Sequence, residues 1–296
     1  GSVLADAAAL DADDSILLTS GRLDADTAEL TLHATANDVM GKIEEANGFA
    51  LVADDVQATA AASGENILLD STKNELVKVA VSNVEGTIRI GSGNAHSNEA
   101  LHVSHSNDSI NGDLSIINYA DGSGFANTIV VDKNLQATGA ISIVNKETDI
   151  NVAQGSEITS SNSVVTLDSA KNISVAGAVN AKADAIITAD SAIDVAGSVD
   201  AANATLNAKD NVSVTGAIVA TADTDITSGK AIHVAGSVNA ENATLQAGST
   251  ITVNNITASQ KASFEAGEDF IHNGGTVGAA EAVVVAQRDV LLNSGS

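Results

Sequence analysis

The sequence contains no proline, cysteine or tryptophan, and it has one tyrosine and four phenylalanines among 296 residues. Without cysteine, the chain cannot form disulfide frameworks, thiolate zinc sites or cysteine nucleophiles. Few globular enzymes combine so few aromatic residues with so much Ala, Val, Ile, Thr and Ser. The composition therefore favours a repetitive architecture over two average globular domains.

Basic residues are also scarce, because 13 Lys and Arg face 38 Asp and Glu, giving a formal net charge of −25. A charge of this sign repels nucleic acid and anionic membrane surfaces, so neither is expected as a partner. Long apolar runs are missing as well. No segment approaches the ~20 apolar residues of a membrane helix, and we expect no membrane-embedded segment.

What the sequence does contain is a repeat. The segment Ile173-x-Val175-x-Gly177-x-Val179 recurs three times with a period of 19 or 20 residues. Ile251-x-Val253-x-Asn255 continues it without the glycine, and we align a sixth copy on Ile271-x-Asn273-x-Gly275. A second motif follows each copy, with a larger apolar residue between two small ones. Its members include Ala185-x-Ile187-x-Ala189, Ala204-x-Leu206-x-Ala208 and Ala262-x-Phe264-x-Ala266.

Period-2 alternation in these motifs indicates short strands with one buried face. One coil of such strands cannot bury its apolar face alone, whereas stacked coils can. The sequence therefore predicts an all-β fold, a right-handed parallel β-helix with coils of roughly 20 residues and on the order of 14 coils. A proline would remove a ladder donor, and small inward residues predict a thin core that a large aromatic would overpack.

We expect one continuous β-helix over residues 3–296, preceded by a cloning scar at residues 1–2. Regular coils are expected over 149–296 and irregular coils over 3–148. In the irregular part we align Val56-x-Ala58-x-Ala60 with Val77-x-Val79-x-Val81, and Ile67-x-Leu69 with Ile88-x-Ile90. Clusters of Gly, Asn, Ser and Asp predict loop excursions near residues 35–48, 91–100, 105–112 and 118–127.

The repeat units resemble a known family. Ile193-Asp194-Val195-Ala196-Gly197-Ser198-Val199, continuing through Ala204-Thr205-Leu206, is similar to the filamentous-haemagglutinin-type repeats of two-partner-secreted bacterial exoproteins. Asn273-Gly274-Gly275-Thr276-Val277 resembles them too. The resemblance covers 170–296 well, 10–35 and 128–145 moderately, and the remainder weakly. Some β-helical autotransporter passengers share this pattern, so the secretion route stays open.

The resemblance implies a secreted or cell-surface segment of a bacterial filament that is associated with the outer membrane. Its implied function is structural and adhesive, projecting or presenting binding regions to host or neighbouring cells and contributing to virulence. Its implied partners are an unidentified receptor or glycan on a host or bacterial surface, and an outer-membrane transporter during secretion. The alternatives are the passive stalk of a contact-dependent toxin and, less favoured, a β-helical polysaccharide lyase or hydrolase.

Candidate metal ligands are few. His96, His102, His105 and Asp108 form the only local cluster, but their spacing matches no zinc pattern, so we expect exposed loop residues and no resident metal or cofactor. Recurring aspartates, Asp190, Asp210, Asp269 and Asp289, are expected to cap turns. They allow at most diffuse or weak binding of calcium.

Loops on a rigid scaffold are the usual location of binding residues. The excursions starting near 93 and 118 therefore give the candidate partner-binding residues, which are Gly93, His96, His102, His105, Tyr119 and Phe125. The two aromatic side chains have the alternative of packing on the coil. Because basic residues are scattered and aromatics are rare, no catalytic site is predicted and we expect no enzyme.

Overall fold

The chain folds into a parallel β-solenoid of about 12 turns with a spacing near 20 residues, and the described residues contain no helix. The computed structural model describes residues 2–12, 15–32, 42–46, 49–63, 66–93, 100–105, 110–119 and 128–293. The predicted fold class is confirmed, with a turn count slightly below the predicted one. All described strands belong to a single sheet, and each pairs in parallel with its equivalent in a neighbouring coil.

The strands of the N-terminal part are long or irregularly spaced. They are β1 (Ser2–Ala12), β2 (Ser15–Leu18), β3 (Gly21–Leu32), β4 (Lys42–Glu45), β5 (Phe49–Ser63), β6 (Asn66–Leu69), β7 (Glu75–Glu85), β8 (Ile88–Ser92), β9 (Leu101–His105), β10 (Leu114–Asn118), β11 (Ile129–Val131), β12 (Leu135–Ala137), β13 (Ile141–Asn145), β14 (Ile150–Val152) and β15 (Glu157–Ser160).

The strands of the C-terminal part follow a regular three-strand cycle until β26, where the strands merge. They are β16 (Val165–Ser169), β17 (Ile173–Val175), β18 (Ala178–Ala181), β19 (Asp184–Ala189), β20 (Ile193–Val195), β21 (Ser198–Ala201), β22 (Asn203–Ala208), β23 (Val212–Val214), β24 (Ala217–Ala220), β25 (Asp223–Ser228), β26 (Ile232–Ala247), β27 (Ile251–Ala266), β28 (Phe270–Asn273), β29 (Val277–Ala286) and β30 (Val290–Asn293).

Three faces run along the rod. The A face stacks β2, β4, β6, β8, β10, β13, β16, β19, β22 and β25. The B face stacks β9, β11, β14, β17, β20 and β23 and continues from β9 into β7, which pairs with it, and the C face stacks β12, β15, β18, β21 and β24. The long strands β26 and β27 cover all three faces in turn, and from β17 onward paired residues lie 18 to 21 positions apart.

The core is a set of columns of inward side chains. Ile187, Leu206, Ile226, Leu245 and Phe264 follow one another along the A face, each paired with the next and each at most 1% exposed. Alanines such as Ala204 and Ala208 flank the larger residue as predicted. Like side chains therefore pile into ladders, which bury apolar area that a single coil would leave in water.

The glycine of the repeat has a steric cause. A Cβ built on Gly216 would lie 1.8 Å from the carbonyl oxygen of Gly197, and one on Gly236 would lie 1.8 Å from that of Gly216. Neighbouring coils thus approach too closely at this turn for any side chain. The 19- or 20-residue recurrence of this glycine is the sequence trace of coil stacking.

The prediction that large aromatics would overpack the core is wrong. Phe49, Phe264 and Phe270 are all buried, and the rings of Phe264 and Phe270 stand 4.9 Å apart at 50°. Phe264 stacks between Leu245 and Val284, with alanines on both sides of it along its own strand. The small flanking residues make room for a ring, so few aromatics are needed but none is sterically barred.

The last repeat is shifted by one residue from the predicted alignment. Ile251 pairs with Phe270 and Val253 with His272, so Phe270 and His272 point inward and Ile271 does not. Gly274 and Gly275, both with positive φ, absorb the extra residue before Val277 pairs with Ile256. The buried His272 places Nε2 3.3 Å from the carbonyl oxygen of Asn254, which partly offsets burial of its polar ring.

Two predictions for the irregular part are also wrong. Val56 pairs with Val79, not with Val77, although Ile67 pairs with Ile88 as expected. The predicted excursion at 35–48 contains strand β4, in which Ile43 and Glu45 face inward. The alternation of apolar and polar residues in β4 is hard to recognise because a glutamate, Glu45, occupies an interior position.

Candidate functional site

Two of the predicted excursions arise at the same place on the rod. We name this place the insertion corner: the turn between the A and B faces at residues 70–74, 92–93 and 118–119 of three successive coils. Ser92 pairs with Asn118, and the amide of Tyr119 donates to the carbonyl oxygen of Ser92 at 2.7 Å. The intervening segments 94–99 and 120–127 lie outside the described residues.

The excursions also return side by side. Leu101 pairs with Ile129, and the Leu101 amide donates to the carbonyl oxygen of Thr128 at 2.8 Å. Both segments therefore leave the A face and rejoin the B face in adjacent coils. The parallel ladder continues across both insertions, so their four ends are fixed by the rod.

The insertion corner is braced from inside by polar side chains. Asn74 is fully buried, and its Nδ2 donates to Glu45 Oε2 at 2.7 Å and to the Gly91 carbonyl oxygen at 3.2 Å. Its Oδ1 accepts the Leu51 amide at 2.9 Å. Glu45 Oε2 also accepts the amide of Ser71 at 3.2 Å. One buried amide thus joins three successive coils.

Glu45 carries an electrostatic cost. The residue is 5% exposed, and its Oε1 has no hydrogen-bond partner among the described residues. Burial raises the pKa of Glu45 to about 7, although the hydrogen bonds from Asn74 and Ser71 act in the opposite direction. The protonated form is therefore favoured over a wider pH range than for an exposed glutamate.

A second polar stack continues the brace. Asn118 Nδ2 donates to Asn145 Oδ1 at 3.1 Å, and that oxygen also accepts the amides of Glu147 and Thr148. Asn145 Nδ2 donates to Thr148 Oγ1 at 3.1 Å and to the carbonyl oxygen of Asp149 at 2.8 Å. A buried amide with this many partners specifies one backbone path through the turn.

In later coils the same turn has different side-chain contacts inside and outside the rod. The inward column there consists of small residues: Ala189, Ala208, Ser228, Ala247 and Ala266. Outside, successive coils are joined by ion pairs between Lys209 and Asp190 at 2.7 Å, Lys230 and Asp210 at 2.6 Å, and Arg288 and Asp269 at 2.9 Å. Hydrogen bonding from Lys230 and from Ser191 lowers the pKa of Asp210.

These contacts give the aspartates their roles. The predicted turn-capping role is visible at Asp269, whose Oδ1 accepts the Asp289 amide at 3.2 Å. Ion pairing with the next coil is an additional role that was not predicted. Within the part of the chain that the structure describes, no three His, Asp or Glu residues converge into a metal-ligating group.

The predicted binding residues are scattered by the fold. Gly93 and Tyr119 lie at the insertion corner, whereas His102 and His105 lie on strand β9 of the B face, beyond the first excursion. His96, Asp108 and Phe125 fall outside the described residues. Tyr119 is half-buried with its ring against Gly91, which is the packing on the coil that was the alternative to a binding role, and the binding role stays a prediction.

His102 belongs to a shallow groove on the B face. Its Nδ1 lies 3.1 Å from Asp132 Oδ2 of the next coil, and Lys78 occupies the paired position in the preceding coil. The groove has a volume of about 310 Å³ and includes Ser104 and Lys133. No hydroxyl among the described residues hydrogen-bonds to the imidazole, so the geometry gives a polar surface patch without an activated nucleophile.

Residues missed at the sequence level include Glu45, Asn74, Asn145 and Arg89. The first three are polar side chains at interior positions of the coil. The signal for Glu45 was its place two residues after Ile43 in a period-2 pattern. Asn145 could have been found in the same way, because it follows Ile141 and Ile143 at the same spacing.

Among the described residues, no helix has the length and apolar character needed to cross a membrane. No protein-family model, curated protein or solved structure matches the chain.

Proposed function

We propose that the chain is a structural and adhesive segment of a long bacterial filament, in which a stiff solenoid presents the insertion corner to a receptor or glycan on host or neighbouring cells. The observation that carries this proposal is the emergence of two excursions from adjacent coils at one braced corner. Binding residues usually lie on loops that a rigid scaffold holds in place.

The regular coils support a spacing role for the rest of the rod. Between β17 and β25, turns of a few residues join the strands, and every strand pairs with the coils before and after it. Backbone ladders of this kind give stiffness without disulfides. The net charge of −25 opposes lateral association of neighbouring filaments.

The proposal extends to location and secretion. The resemblance of the repeat units to filamentous-haemagglutinin-type repeats supports a secreted or cell-surface location and an outer-membrane transporter as the secretion partner. Both two-partner secretion and the autotransporter route fit this proposal. We propose no enzymatic activity, because the sequence has few basic and aromatic residues from which a sugar-processing site could be built.

Cell binding tests the proposal. The fluorescently labelled chain is titrated onto host and bacterial cells beside a variant in which 94–99 and 120–127 are each replaced by the three-residue turn Ala170-Lys171-Asn172 of the regular coils. Saturable binding that is lost in this variant supports presentation by the insertion corner. Equal binding by both chains would refute it.

The passive stalk of a toxin is the second candidate, favoured by the uninterrupted coils from β17 onward. It predicts no saturable binding by the intact 296-residue chain. Release of reducing or unsaturated sugars from acidic polysaccharides would contradict both candidates and favour a lyase or hydrolase.

A further inference from the structure

The single tyrosine of the chain is seated in a slot on the outer wall of the rod. A Cβ built on Gly91 would lie 2.9 Å from Tyr119 Cε2 and 2.9 Å from the Cα of Asp70. Only glycine at position 91 therefore leaves room for the Tyr119 ring. The backbone of Tyr119 is fixed by its hydrogen bond to Ser92, so the ring is held from two sides.

Arg89 and Asp70 accompany the ring. Arg89 Nη1 lies 3.2 Å from Asp70 Oδ2, and the two side chains are 53% and 28% exposed. Arg89 precedes Gly91 by two residues on β8, so it projects from the same face of that strand. Burial and the nearby Asp70 charge raise the pKa of Tyr119, and the Arg89 charge acts in the opposite direction.

We propose that Tyr119, Arg89 and Asp70 form a contact site for one hexopyranose unit of a neutral glycan. This inference rests on the proposed adhesive function and names the ligand class at its insertion corner. An aromatic ring offers a face for the apolar side of a sugar, and the guanidinium and carboxylate supply donors and acceptors for its hydroxyls.

The charges at the site and on the whole chain favour a neutral glycan over an acidic one. Asp70 already balances Arg89, so the site offers no free positive charge to an acidic sugar. The chain as a whole carries −25 and repels polyanionic glycans. Sialylated and sulfated glycans should therefore bind more weakly than their neutral counterparts.

The composition supplies a direct reporter. Because the chain has one tyrosine and no tryptophan, its tyrosine emission comes from Tyr119 alone. We would titrate neutral oligosaccharides ending in glucose, galactose or mannose, together with sialylated and sulfated forms of the same chains. A saturable change in tyrosine emission with at least one neutral probe, larger than with its acidic form, is the expected result.

Substitutions then test which residues contact the sugar. Their affinities are measured by calorimetry, because two of the variants lack the fluorophore Tyr119. Tyr119→Ala should weaken binding at least tenfold, Tyr119→Phe should retain most of it, and Arg89→Gln should weaken it severalfold. His233→Ala, at an exposed B-face position far along the rod, is the matched control and should bind as the unsubstituted chain does. Unchanged far-ultraviolet circular dichroism verifies that each variant is folded.

The proposal is overturned if no neutral probe binds, if acidic probes bind as well or better, or if Tyr119→Ala binds normally. Cell binding that survives Tyr119→Ala but is lost when the excursions are replaced would reject the sugar site and leave the adhesive function intact. Absence of cell binding by the intact chain would reject the adhesive function, and the direct glycan titration would still decide the site.

Discussion

Replacement of Glu45 by glutamine should make the rod more stable above neutral pH. The carboxyl group lies inside the solenoid with Oε1 unpartnered among the described residues, and its pKa is raised from 4.5 to about 7. Glutamine keeps an oxygen for Asn74 Nδ2 and the Ser71 amide but never ionises. The variant therefore removes the cost of a buried charge while keeping the bonds of the brace.

The pH window follows from the direction of this shift. Below pH 4.5 the group is protonated in the folded and the unfolded chain, and no stability is lost. As pH rises from 4.5 to about 7 the unfolded chain releases its proton while the folded chain retains it, so the free energy of unfolding falls by ~1.4 kcal/mol per pH unit. The loss is complete above pH 7 and amounts to about 3 kcal/mol.

Urea unfolding at pH 5 and pH 8 measures this difference, followed by circular dichroism and by the emission of Tyr119. Other carboxylates also titrate, so the quantity of interest is the difference between the unsubstituted chain and Glu45→Gln at each pH. Glu44→Gln, on the outer face of the same strand and paired with Lys42, is the control and should leave the pH dependence unchanged. The same pH dependence for the unsubstituted chain and Glu45→Gln would refute the reasoning.

Three further predictions concern the stack itself. Gly216→Ala should destabilise the rod by several kcal/mol and remove amide-exchange protection in neighbouring coils, because the new Cβ would lie 1.8 Å from the Gly197 carbonyl oxygen. Gly278→Ala should be nearly neutral, because the nearest atom to its new Cβ, Thr276 Cγ2, would lie 3.9 Å away in ordinary van der Waals contact. Equal effects of the two substitutions would contradict the steric account. Asn145→Ala should lower the free energy of unfolding in urea by on the order of 2–4 kcal/mol, because the backbone amides of Glu147 and Thr148 and the carbonyl of Asp149 lose their bonds to its side chain. A loss of less than about 1 kcal/mol would mean that the fold does not need this polar brace. Lys209→Ala should change the free energy of unfolding by less than about 1 kcal/mol at physiological salt, because its ion pair with Asp190 is exposed. A larger loss would show that the ion pairs between coils act cooperatively.

The regular half of the fold could be predicted from the sequence because one steric rule repeats there. Four successive coils have a glycine where their backbones touch and a small–large–small triplet that faces inward, so the period identifies positions such as Gly197 and Leu206. The predicted alignment of the last repeat was wrong, because Ile271 is a more typical inward-facing residue than His272. Two positive-φ glycines absorb the shift, and a period alone does not reveal them.

The candidate site was only partly predictable. Clusters of Gly, Asn and Ser marked the excursions, but nothing local indicates that residues 93 and 118 occupy the same turn in adjacent coils. That relation depends on the coil lengths between them, which vary from 20 to 28 residues in the N-terminal part. The brace beneath was missed because Glu45 and Asn74 are ordinary surface residue types whose burial is decided by contacts between coils.

The most direct test of the account is a distance along the B face, over the coils that carry the two excursions. Lys78, His102, Val130, Asn151 and Ser174 are successive partners on the B face. Because the chain has no cysteine, spin labels on Lys78→Cys and Ser174→Cys would be the only labels present. Four strand spacings predict a narrow distribution near ~19 Å between the two backbone positions. A distance well above this value, or a broad distribution, would mean that the excursions interrupt the stack and would contradict a rigid rod that presents them.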